Sequence, residues 1–215
     1  MKNKPKTPDD QGLDFEGVFD AVFPADEVET LAGISTRKLV IDHKREFHNR
    51  LRKEAADAVL SALPKPGQAF HIVSNGTFDY WQLVVAACRL LARPVATFRG
   101  STWTTNRQNV RELLGMIDNG TLQSVGMLTG LYFKRRETAV YAALLEGLTS
   151  RGQKLRCLEN HAKVAVLIAP PDFIVLEGSA NFTANPRIEQ NVVANCQKLA
   201  AFHCEWIDTI LNAEE

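Results

Sequence analysis

The chain has 215 residues, with 25 Lys or Arg balanced by 25 Asp or Glu. That length can bury a sizeable core in one domain. The zero net charge argues against a protein whose main task is to coat nucleic acid or an anionic membrane, and it leaves room for a local basic groove.

The opening MKNKPKTPDDQG is charged and lacks the apolar run of a secretory leader. No stretch approaches the roughly 20 apolar residues of a membrane span. A cytoplasmic protein with no membrane partner is expected. Cys88, Cys157, Cys196 and Cys204 form no C-x-x-C pair, so buried or free thiols are expected, with no metal site and no cofactor.

Residues 1–42 read as an N-terminal extension, a loose polar tail followed by short apolar pieces between turn residues. The domain is expected over 43–215. Residues 43–63 have helical spacing, with Phe47, Leu51, Ala55, Val59 and Leu60 as an apolar stripe, and PKPG stops them. AFHIVS (69–74) reads as a buried strand, 77–92 as a helix ended by Pro94, and PVATF (94–98) as a strand. A helix over 106–120 closes at Asn-Gly, LQSVGML (122–128) is a strand, and 134–152 is a helix with a Gly cap. KLRCLE is a strand. HAKVAVLIA and DFIVLEG form a hairpin through Ala-Pro-Pro-Asp, NVVANC is a further strand, and the helix QKLAAFHCEWIDTILNA closes the chain. This alternation predicts an α/β fold, a mixed β-sheet flanked by helices on both faces.

The hairpin region, NHAKVAVLIAPPDFIVLEGSANFTANPRIEQNVV, holds more polar chemistry than packing needs. On a strand His161 and Lys163 would share one face, and Ala162, Val164, Val166 and Ile168 the other. Ser179 and Asn181, after Gly178, would share a face at the end of the next strand. Pairing of the two strands would bring all four residues to one rim, and Glu189 could return there. A neutral imidazole is a nucleophile at phosphorus and a proton carrier near neutral pH. An ammonium offsets phosphate charge, Ser and Asn donate hydrogen bonds, and a carboxylate can fix an imidazole tautomer. The set suits phosphodiester chemistry, and it lacks the carboxylate cluster of a two-metal nuclease. The pair alone could equally be the solvated edge of a strand, and Ser179 and Asn181 simple turn formers.

His-x-Lys, then Gly-Ser-x-Asn-Phe-Thr, then Glu-x-x-Val-Val resembles the signature of the phospholipase D superfamily over about residues 155–195. The resemblance implies an α-β-α sandwich. It makes His161 the nucleophile and, from a second subunit, the general acid and base. Lys163 and Asn181 would bind phosphate oxygens, Ser179 would support them, and Glu189 would orient His161. The motif's Asp is replaced by Ile168. The chain carries a single His-x-Lys, so the resemblance implies a homodimer like the small bacterial endonucleases of that family, with a shared site and a phosphohistidine intermediate.

FRGSTWTTNRQNV (98–110) brings Arg99, Trp103 and Arg107 to a strand end, either as a loop that stacks a base and contacts phosphate or as a helix cap with Trp103 as a core plug. YFKRRE adds Lys134, Arg135 and Arg136, either a basic wall together with Arg111 or a solvated helix face. A nuclease acting on DNA or RNA is the leading expectation. A lipid phosphodiesterase and a non-catalytic nucleic-acid or protein interaction module are the alternatives.

Overall fold

The computed structural model describes residues 43–183 and 187–213, so the extension expected over 1–42 lies outside the described residues. The elements in chain order are α1 (His43–Val59), β1 (Ala69–Ser74), α2 (Tyr80–Leu91), β2 (Val95–Thr102), α3 (Arg107–Asp118), β3 (Leu122–Gly130), α4 (Leu131–Arg136), α5 (Thr138–Thr149), β4 (Lys154–Leu158), β5 (Val164–Ala169), β6 (Asp172–Gly178), β7 (Glu189–Asn195) and α6 (Gln197–Asn212). They build one seven-stranded sheet in the order β1-β7-β6-β5-β2-β3-β4. β2, β3 and β4 run parallel. β5 pairs antiparallel with β2, and the antiparallel pattern continues through β6 and β7 to β1. The sheet is therefore mixed, as the alternation of periods predicts.

β5 is a seam buried on both faces, which is why VAVLIA shows no polar alternation. Ala165, Leu167 and Ala169 join the larger core under α1, α2, α3 and α5, and Val164 and Val166 join a smaller core under α6. α2 is buried continuously from Tyr80 to Cys88, which matches its nearly all-apolar sequence. Trp81, Tyr80, Phe98 and Phe182 fill the middle of the larger core, and each such side chain contributes about 1.5–3 kcal/mol by leaving water.

Four expectations are corrected. On α1 the buried residue is Ala56, Leu60 is buried as expected but just beyond the helix end at Val59, and Leu51 and Val59 are exposed where the helix packs on α2. The side chain of Phe47 lies outside the described residues. α2 starts at Tyr80 instead of Thr77, because the Asp79 carboxylate accepts from the Gln82 backbone N–H and caps the helix there. β2 runs four residues beyond Phe98, since it is laddered by β3 on one side and β5 on the other. The helix expected over 134–152 is two helices, broken at Glu137, whose backbone leaves the helical region. The second helix ends at Thr149, short of the expected end, and Gly152 takes the left-handed conformation at φ 67° in the turn that follows.

Candidate functional site

The strand directions gather one rim. The ends of β1, β2, β3, β4 and β6 meet the beginnings of β5 and β7, through the pairs Ser74–Glu189, Gly178–Asn191, Glu177–Val164, Val164–Ser101 and Thr102–Thr129. His161, Lys163, Ser179, Asn181 and Glu189 all belong to the segments at this rim.

His161 and Lys163 are not on the strand, because β5 begins at Val164. Asn160 explains the difference. Its Oδ1 accepts from the Ala162 N–H at 3.1 Å, and its Nδ2 donates to Ser101 Oγ at 3.0 Å and to the Thr102 carbonyl at 3.3 Å. Ser101 Oγ in turn donates to the Ala162 carbonyl at 3.2 Å. Side chains at the end of β2 thus replace ladder bonds over 160–162, a local competition that Asn and Ser often win. The resulting turn leaves His161 exposed and Lys163 buried, at 7% exposure.

The two side chains nevertheless meet. Lys163 Nζ lies 3.0 Å from His161 Nδ1 and donates to the His161 carbonyl at 2.6 Å. Burial lowers the pKa of the Lys163 ammonium, and the Glu189 carboxylate partly opposes that shift. An ammonium on Nδ1 makes that nitrogen an acceptor and puts the ring proton of neutral His161 on Nε2.

The Gly-Ser-Ala-Asn-Phe turn is set by its last residue. Phe182 is 1% exposed, stacks on Tyr80 at 5.2 Å between centroids and lies 5.5 Å from Trp81. Its N–H donates to Thr102 Oγ1 and its carbonyl accepts from Asn109 Nδ2. Gly178 lets β7 approach, since a Cβ there would strike Asn191 Oδ1 and the Gln190 carbonyl. Ser179 donates its hydroxyl to Glu189 and accepts from the Gln190 N–H at 3.0 Å. Glu189 therefore answers to Ser179, and the position on His161 Nδ1 expected for it is taken by Lys163. Asn181 Oδ1 and both polar atoms of the Asn191 amide are buried with no hydrogen-bond partner among the described residues. Each such group costs about 1–3 kcal/mol, a cost that a bound polar ligand can relieve.

The outer residues divide. Trp103 is half-buried, stacks on Tyr132 at 4.3 Å and lies 5.5 Å from the His161 ring, so it stands at the rim. Gly130 makes room for it, because a Cβ there would meet the Trp103 ring. Arg107, Lys134 and Arg135 are exposed, the last two on α4. Lys134 sits 5.5 Å over the Tyr141 ring, and Arg136 donates to the Tyr132 hydroxyl. Arg99 is committed elsewhere. Its Nε bonds Asp208 of α6 at 2.5 Å, and its Nη1 bonds the Phe98 carbonyl and Ser124, so it ties α6 to the sheet. Ile168, at the motif's Asp position, packs against the smaller core.

Sequence reasoning missed Asn160, Tyr132, Phe182 and Asn191. Asn160 directly precedes the His, and Tyr132 precedes the basic run; each carried a weak signal in its turn-forming or stacking chemistry. Nothing in sequence marks Asn191 as buried.

No family model matches the chain, and no curated protein matches it by sequence. Solved structures do. A polyphosphate kinase from Porphyromonas gingivalis is similar at 16% identity and a TM-score of 0.50, over 91% of this chain and 32% of its own. NucT from Helicobacter pylori aligns at 12% identity and a TM-score of 0.47, over 67% of this chain and 96% of its own. A phosphatidylserine synthase from Haemophilus influenzae Rd KW20 aligns at 11% identity and a TM-score of 0.45, over 82% of this chain and 46% of its own. The sheet order, the rim on which the ordered His-x-Lys, Gly-Ser-x-Asn and Glu residues stand, and the likeness to the kinase agree: the chain has the fold of the phospholipase D superfamily.

Proposed function

We propose that the chain is a phosphodiesterase that cuts nucleic acid through a covalent histidine intermediate, in a site completed by a second copy of the chain. The observation that carries this reading is the exposed His161 imidazole, with the buried Lys163 ammonium on its Nδ1 and the Asn181 amide turn on the same rim. A buried ammonium with one carbonyl and one ring nitrogen for partners is costly to keep, and a phosphate is the ligand that best compensates it.

In the proposed reaction a phosphodiester oxygen draws the Lys163 ammonium off Nδ1, and the ring proton moves to that nitrogen, leaving Nε2 with a free lone pair. Nε2 attacks phosphorus, an N–P bond forms, and the bond from phosphorus to one ester oxygen breaks. The partner's imidazolium at the equivalent position gives its proton to the leaving oxygen. The same ring, now neutral, takes a proton from water as the water oxygen attacks phosphorus and the N–P bond breaks. Lys163 and Asn181 hold the non-bridging oxygens, whose charge rises in the transition state. Trp103 and Tyr132 offer a stacking surface for a base beside the phosphate, which favours a polynucleotide over a lipid headgroup. Among the described residues no helix is long and apolar enough to cross a membrane.

A second reading, a nucleic-acid-binding module without catalysis, is favoured by Ile168 at the motif's Asp position and by the bond of Glu189 to Ser179. Incubation of plasmid and single-stranded DNA and RNA with the protein in EDTA separates the two. The enzyme reading expects cleavage that His161→Ala abolishes. Binding without cleavage, unchanged in His161→Ala, contradicts it.

A further inference from the structure

A cavity of about 730 Å³ lies away from the His161–Lys163 pair, between α1 and the beginnings of α2 and α3. Its volume is that of a small-molecule site, and the residues that line it are polar or charged, with the carbon stems of their side chains forming part of the wall. Gln82, Asn106 and Gln108 contribute amide side chains and α1 contributes Arg52 and Lys53.

The two cations are half-buried. Neither makes a hydrogen bond or ion pair with a described residue, and Arg52 acts on Asp79 only at a distance. The two carboxylates in the wall are already engaged. Glu112 accepts from Trp81 Nε1 at 3.0 Å and from Gln82 Nε2 at 3.3 Å. Asp79, at 4% exposure, accepts from the Gln82 N–H at 3.0 Å and from Asn109 Nδ2 at 3.3 Å. The groups left for a ligand are therefore cationic and amide. Arg and Lys hold phosphate, and amides pair with base edges. Among the described residues no Phe, Tyr or Trp lines the cavity, whose wall carries the smaller His48 imidazole, so a base there would be held chiefly by its edge, unlike one on the Trp103–Tyr132 surface.

The cavity is also placed to take a neighbouring part of the same strand. Asn106 in its wall follows Trp103 by three residues, a span of at most about 11 Å, and the Trp103 ring is 5.5 Å from His161. We propose that this cavity binds one nucleotide of a nucleic-acid strand, flanking the phosphodiester held at His161. The assignment of the strand as substrate rests on the function proposed above, and the presence of the binding site does not.

The test is equilibrium binding of a labelled single-stranded oligonucleotide by fluorescence anisotropy across a salt series. It uses the full chain, wild type and the double variant Arg52→Gln, Lys53→Gln. The expected result is a Kd raised about tenfold at low salt and a slope of log K against log salt reduced by about 1.4, two contacts at about 0.7 each. Equal affinity and equal slope overturn the site, as does a wild type that binds no oligonucleotide. If the double variant melts early, Gln108→Glu serves instead, since that half-exposed side chain makes no hydrogen bond with a described residue. It is expected to weaken binding about tenfold, and unchanged affinity overturns the site. Cleavage of the same oligonucleotide by the wild type is read separately. A wild type that binds through these residues without cutting removes the nuclease reading and keeps the cavity; one that cuts while the variants bind undiminished does the reverse.

Discussion

Replacing Lys163 by Met should make the protein more stable and nearly inactive. The side chain is 7% exposed, and among the described residues its ammonium donates to the carbonyl and Nδ1 of His161, a residue that is itself exposed. Burial lowers the pKa of Lys163, so the folded protein holds that proton less well than the unfolded chain, and charging the group opposes folding. Met keeps the unbranched shape and removes the charge, and water can serve the two His161 acceptors. The expected result is a Tm above that of wild type at pH 7. The pH dependence has a definite sign. Between the lowered folded pKa and the unfolded value of about 10.4, the unfolded chain binds more protons, so wild-type stability rises with pH across that window. The advantage of Met is therefore full at pH 7 and fades towards pH 10.4. Thermal melts of both proteins at about pH 7 and about pH 11, on either side of the unfolded value, with hydrolysis measured at the lower pH, test this. Activity should fall by about 10²–10³, the value of one preorganised charge-stabilising donor. A Met variant that melts below wild type at pH 7, or whose advantage persists undiminished above pH 10.4, would refute the reasoning.

Phe182→Leu removes the aromatic contacts with Tyr80 and Trp81. It should cost about 1–3 kcal/mol of stability and lower kcat more than it raises KM, because the Asn181 turn loses its anchor; urea melts and steady-state kinetics check both effects. Gly178→Ala forces a methyl group against Asn191 Oδ1 and the Gln190 carbonyl. It should destabilise by about 1–3 kcal/mol, read as a lower urea midpoint at unchanged m-value. Arg99→Ala, which breaks the bond to Asp208, should lower Tm while leaving the affinity for oligonucleotide within about twofold, in contrast to the binding role that its place beside Trp103 in sequence suggests.

The hairpin and the parallel half of the sheet were legible because their segments obey local rules. VAVLIA and FIVLE are apolar runs bounded by a Pro turn and by Gly178, and α3 has its stop signal in Asn119-Gly120, whereas the break at Glu137 between α4 and α5 carried none. The ordered His, Lys, Ser, Asn and Glu were legible for the same reason, since a motif is itself local. What was not legible depends on distant partners. Asn160 decides that His161 precedes the strand, through bonds to Ser101 and Thr102 some sixty residues earlier. Arg99 looked like a cleft residue beside Trp103 until α6, from the far end of the chain, supplied Asp208. Phe182 reads as one more aromatic residue, and its role as the anchor of the turn follows from Tyr80 and Trp81 on α2. The Ser179–Glu189 bond follows from Gly178 and Asn191 being paired on adjacent strands.

The central claim is that one His161 from each of two subunits serves a single phosphorus. It is tested most directly by mixing equal amounts of wild type and His161→Ala, allowing subunits to exchange, and measuring hydrolysis per total wild-type chain. A shared site needs two intact rings, so only dimers that pair wild type with wild type remain active. Those are about a quarter of all dimers, and activity per wild-type chain falls to about half. Activity per wild-type chain that stays at its unmixed value, with exchange confirmed, would mean that each chain works alone and would contradict the claim.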